Sequence, residues 1–137
     1  MQAIAVSNGE QFGNIATGFF KRTGLSRIHN FHGTAEQVDS VFVEGNDGYL
    51  YPPNFADVIV RDPITWEEAP AGVPGVVQIR CAIPLSYSGH SILTEYLAVL
   101  HPADEPGCAY RGKRFSIIGR VPNAEMRGYS DTYATTA

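Results

Sequence analysis

Hydrophobic and polar positions alternate most clearly between Ser91 and Leu100. Ile92, Thr94, Tyr96 and Ala98 share one face of an extended chain there, and Leu93, Leu97 and Leu100 supply apolar anchors. Thr94 and Glu95 are short polar groups set into that apolar pattern, and polar groups in a strand need a partner. Further strands are predicted at Asp57–Arg61, stopped by Asp62-Pro63, at Gly75–Cys81, and at Arg114–Val121. The first two read as a hairpin with a long Pro/Gly-rich connection over 65–74, and a similar loop over 102–112 precedes the last strand. Val41–Glu44 reads as extended and ends at the turn Gly45-Asn46-Asp47-Gly48. Tyr49-Leu50-Tyr51 returns as a second strand before Pro52-Pro53 stops it.

Upstream the period changes. Phe12, Ile15, Ala16, Phe19 and Phe20 recur at helical spacing, which predicts a helix over 9–22. Lys21 and Arg22 suit the negative end of its dipole, and Gly24 offers a C-terminal stop. Leu25–Phe31 is expected to be a short strand, and residues 32–37 a small-residue turn that opens a helical turn. The polar segment 129–137 lacks an apolar face and is expected to be a loose tail. The fold class expected is α/β (α+β), with one N-terminal helix and mostly antiparallel strands in a single domain over 1–137.

Composition adjusts this picture little. A chain of 137 residues suits one domain, and 14 Gly with 9 Pro suit many turns between short strands. A net charge of −4 without a basic stripe gives no electrostatic case for nucleic acid. No apolar run approaches a membrane span, and the N-terminus lacks the charged-then-apolar order of a signal peptide. Cys81 and Cys108 make no disulfide framework, so a reduced, cytoplasmic protein is expected. His29, His32, His90 and His101 with those cysteines show neither C-x-x-C nor H-x-x-x-H spacing, and no zinc site is predicted from them.

Four blocks in order carry a family resemblance. They are Phe31-His32-Gly33-Thr34-Ala35-Glu36-Gln37; the pair 58–63 and 72–79; Gly89-His90-Ser91-Ile92-Leu93-Thr94-Glu95-Tyr96-Leu97; and residues 119–128, opening Gly119-Arg120-Val121-Pro122. Together they resemble the adenylate-forming superfamily, and within it the acyl-protein synthetase (LuxE-like) branch, over its C-terminal part. The resemblance implies ATP-dependent activation of a long-chain fatty acid or related carboxylate to an acyl-adenylate, for transfer to a protein thiol. A carboxylate oxygen is a poor leaving group, and transfer to the α-phosphate of ATP relies on positioning and charge neutralisation.

The resemblance also implies roles for particular residues. Glu36 would hold magnesium (Mg2+) through oxygen, and with Arg120 would carry the catalytic assignment. His32, Gly33 and Thr34 would lie against the adenine, and Thr94 and Arg120 would meet ribose or phosphate oxygens. For Thr94 and Glu95 a neighbouring backbone group is the competing partner. For Glu36 it is a helix dipole, and for Arg120 a surface acid. Tyr96 stands where the family's ribose-binding aspartate is expected, and Glu95 on a regular strand would face the other way. No glycine-rich, lysine-bearing phosphate loop precedes Glu36, so a second chain is expected to supply one. The alternative is a non-catalytic remnant that binds nucleotide or docks on another subunit.

Overall fold

The computed structural model describes residues 3–4, 22–23, 28–34 and 37–122. Its strands are β1 (Ala3–Ile4), β2 (Ile28–His29), β3 (Phe31–Thr34), β4 (Gln37–Glu44), β5 (Leu50–Tyr51), β6 (Ala56–Arg61), β7 (Pro74–Cys81), β8 (Ser91–His101) and β9 (Arg114–Arg120). The first two pair in parallel by themselves, while the others form a seven-stranded antiparallel sheet in the order β3-β4-β5-β9-β8-β7-β6.

Sequence pattern explains the β6–β7 hairpin. Val58 faces Ile79 and Val60 faces Val77, so β-branched side chains meet across the pair on the buried face. Its tip is fastened by Asp62, whose Oδ1 accepts hydrogen bonds from the amides of Ile64 (2.8 Å) and Thr65 (2.9 Å). Trp66 closes that tip at φ 61°, a left-handed conformation that glycine adopts more readily. The β4–β5 turn closes through the Gly45 amide donating to Tyr49 O at 2.8 Å.

The core joins distant strands. Phe42 of β4, Leu50 of β5, Val58 and Val60 of β6, Val77 and Ile79 of β7, Ala98 and Leu100 of β8, and Phe115 of β9 form one buried cluster with Ala69. Phe42 meets Phe115 edge-on at 5.3 Å between centroids, where β5 separates their strands. Lys113, just before β9, reaches β6, donating to Asp57 Oδ2 at 3.0 Å and Val58 O at 3.1 Å. The sheet therefore curls so that its two halves share one core.

Four expectations need correction or placement. Residues 32–34 are strand, not turn, and pair with β4, which starts at Gln37. Leu93 is no core anchor: it is 49% exposed, because the even-numbered residues of β8 face inward. The predicted helix over 9–22 lies outside the described residues except for Arg22, which is helical, and the tail 129–137 lies outside them altogether. Among the described residues every element longer than two residues is a strand.

Candidate functional site

Two irregularities meet on β8. Against β7, Leu93 pairs with Gln78 and Leu97 with Val76, so Thr94, Glu95 and Tyr96 lie opposite Val77 alone. Against β9, Leu97 pairs with Gly119 and Ala98 with Ile117, leaving Ile118 as an extra residue. Gly119 takes φ 155° there, a backbone geometry that L side chains rarely adopt. The bulges explain how β8 can hold polar residues amid its apolar pattern. The Thr94 hydroxyl donates to Val77 O at 2.9 Å and accepts from the Tyr96 amide at 3.2 Å, so it serves the irregular backbone.

Arg120 is the cross-strand partner of Tyr96 and places its guanidinium carbon 5.6 Å from that ring's centroid. Its Nη2 donates to Glu95 Oε2 at 2.7 Å. The Glu95 backbone is held as well, its carbonyl accepting from the Val121 amide at 2.8 Å. On the other side Tyr96 meets His32 edge-on, at 4.7 Å between centroids. The result is a ladder His32–Tyr96–Arg120–Glu95 built from three separate stretches of sequence.

The inner face of β3 and β4 continues this ladder with buried polar groups. His32 is only 7% exposed, and its ring also lies at 28° to Phe42 with centroids 6.3 Å apart. Burial lowers its pKa to about 4, so the imidazole is neutral at physiological pH. Thr34, Gln37 and Ser40 are buried too. His32 Nε2, Thr34 Oγ1, Gln37 Nε2 and Ser40 Oγ have no hydrogen-bond partner among the described residues. Gln37 Oε1 accepts from the Tyr87 hydroxyl at 3.0 Å. Tyr87 packs so closely on Gly89 that a Cβ there would lie 2.2 Å from its ring, which explains glycine at that position.

The structure thus brings His32, Thr94, Arg120 and Tyr96 into one region. Gly33 is exposed on the other side of β3, and Thr34 points inward beside its cross-strand partner Gln37. Glu36 lies outside the described residues. Among the described residues no group of three or more His, Cys, Asp or Glu side chains could hold a metal ion. Sequence reasoning missed Gln37, Ser40 and Tyr87, and it turned Glu95 away from Tyr96. Only the polar pair Thr94-Glu95 inside an apolar strand signalled an irregular backbone.

The fold is similar to that of MatB from Rhodopseudomonas palustris. Its apo structure shares 16% identity and a TM-score of 0.61 over 87% of this chain and 25% of that one. The ATP-bound MatB structure from the same organism shares 19% identity and a TM-score of 0.55, over 85% and 25% respectively. A chimera, RpMatB-BxBclM B3, solved with ATP bound, gives 19%, 0.56, 85% and 25%. The chain therefore spans about a quarter of the length of these structures. No curated protein matches the sequence. The family model described as acyl-protein synthetase, LuxE, matches residues 9–136.

Proposed function

We propose, since the chain belongs to the LuxE family of acyl-protein synthetases, that it forms part of a site activating a carboxylate with ATP. The substrate would be a long-chain fatty acid or related carboxylate, passed from an acyl-adenylate to a protein thiol. ATP, when bound, supplies the leaving group: the carboxylate oxygen bonds to the α-phosphorus, pyrophosphate departs, and AMP later leaves as the thiol takes the acyl group.

One observation carries the reading. The blocks at 31–37, 89–97 and 119–121, far apart in sequence, fold into contact through His32, Tyr96 and Arg120. The chemistry of the donor set fits a polar, aromatic ligand. Neutral His32 and the Thr34, Gln37 and Ser40 atoms that lack a partner among the described residues offer hydrogen bonds without charge, while Arg120 offers a cation at the rim. In this reading His32 and Thr34 border the adenine from the inner face of β3, Gly33 lies on the opposite face and is dropped from that role, and Arg120 binds sugar or phosphate oxygens. Glu36 would hold Mg2+, and a second chain would supply the phosphate-binding loop.

A second reading, a nucleotide-binding or docking module without chemistry of its own, is favoured by Thr94. Its hydroxyl is already engaged with Val77 O. Isothermal titration with ATP and Mg2+ tests the shared premise. Saturable binding that weakens about tenfold or more in Arg120→Ala and Glu36→Ala supports a nucleotide site. No heat from the folded wild-type chain rejects autonomous nucleotide binding. Pyrophosphate release on adding a fatty acid then separates the enzyme from the module.

A further inference from the structure

We infer that Ser116 and His101 form a nucleophile–base pair that takes an acyl group from a thioester or other activated ester. The pair lies apart from the nucleotide region. Tyr96 faces Arg120 at one end of the β8–β9 ladder and His101 faces Arg114 at the other, roughly 16 Å away along the strands. The dyad therefore stands independently of the nucleotide reading and gives the chain a second chemistry.

Its geometry is that of a base poised on a hydroxyl. His101 Nε2 lies 2.9 Å from Ser116 Oγ, within the reach needed to take the proton. Ser116 pairs with Val99 and stands on the face of β9 opposite the core residue Phe115. His101 is its diagonal neighbour on that outer face. The imidazole is braced by the Tyr49 ring, 4.3 Å away between centroids and tilted at 44°, and Tyr49 in turn lies 4.6 Å from the Arg114 guanidinium. Ser116 and His101 are both half-buried, so the bond is shielded and still within reach of a substrate. Burial and the Arg114 charge hold the His101 pKa below its ordinary value, against the opposing pull of Glu105. That favours the neutral imidazole, the form able to accept a proton. Ile118, two residues beyond Ser116 and 46% exposed, gives an acyl chain apolar surface nearby.

With the imidazole protonated at Nδ1, Nε2 accepts the Ser116 O–H bond. Ser116 Oγ bonds to the acyl carbon, and its proton passes to Nε2. The bond from that carbon to sulfur breaks, and the departing thiolate takes the proton from His101. An acyl-serine ester and a free thiol result. Water then attacks the ester through the same imidazole, releasing the acid and restoring the serine hydroxyl.

The test mixes the full chain with p-nitrophenyl butyrate in the absence of nucleotide. Release of p-nitrophenolate is followed, and peptide mass spectrometry locates the butyryl group. The dyad requires a butyryl adduct on Ser116, loss of the initial burst in Ser116→Ala, and labelling slowed roughly a hundredfold in His101→Gln. Circular dichroism checks that both variants are folded, and Ser116→Ala decides alone if His101→Gln is not. No adduct on Ser116 in the wild-type chain overturns the inference, as does a burst that survives Ser116→Ala. Ser116 labelling at an unchanged rate in His101→Gln overturns it too, since the serine would then need no base. A failed dyad leaves the nucleotide site standing, because no nucleotide takes part.

Discussion

Arg114 and Arg120 stand at the two ends of β9, and each meets a tyrosine ring and a carboxylate, but they do different work. Arg114 lies 4.6 Å from the Tyr49 ring, pairs with Asp47 at 3.3 Å and with Glu105, and donates to Pro102 O at 2.9 Å. Its side chain is 8% exposed, and its register partner His101 continues an unbroken ladder. Burial alone would push the Asp47 carboxyl upward. Hydrogen bonds from the Tyr51 hydroxyl and the Ala109 amide outweigh that and hold it below the usual range, as an anion facing Arg114. Arg114 thereby fastens the 102–112 loop to the β4–β5 turn. Arg120 follows the bulge, stays half-buried and keeps one face toward solvent. Register and burial, not residue type, separate a staple from a candidate ligand group.

Arg114→Ala should break this contrast most severely. It would strand the Asp47 carboxylate beside a buried tyrosine with its cation removed, and thermal melting should fall by roughly 10 °C or more.

Acid should act more gently and on the Arg120 end. Unfolded His32 takes up a proton near pH 6.5, and the folded one only near about 4. The unfolded state therefore binds more protons between those values. Stability is at its full level above pH 6.5 and declines toward pH 4, by up to about 3 kcal/mol from this group. Denaturant titrations at several pH values should show the slope, and His32→Phe should flatten it.

Arg120→Ala should have the smallest effect on stability, less than about 1 kcal/mol, because its pair with Glu95 is solvent-screened. A loss as large as that of Arg114→Ala would mean that both arginines are staples.

Much of the sheet could be read from sequence because β6 to β9 combine apolar runs with Pro and Gly boundaries. Asp62-Pro63 ends β6, and the Pro/Gly-rich segment over 102–112 separates β8 from β9, as expected. The β3–β4 pair was harder for a physical reason. Its inward residues include His32, Thr34, Gln37 and Ser40, which any hydrophobicity pattern assigns to the outside or to a turn. Of the two partners open to Thr94, the backbone of Val77 is the one its hydroxyl meets. An acid was the competing partner expected for Arg120, and Glu95 is that acid. That Glu95 and Tyr96 meet the same guanidinium escaped, because alternation assumes an unbroken register and one bulge suffices to defeat it.

The strand order carries a consequence for the way this sheet assembles. The β6–β7, β7–β8 and β8–β9 pairs each join neighbours in the chain, but β5 meets β9 through Leu50 and Phe115 across three intervening strands. On a ribosome β9 emerges after every other described strand, so the β4–β5 hairpin has an open edge until then. Closing that gap brings the largest stretch of chain together in one step, the kind of long-range pairing that slows folding and exposes intermediates to aggregation. Phe115 then meets Phe42 in the core as that edge closes.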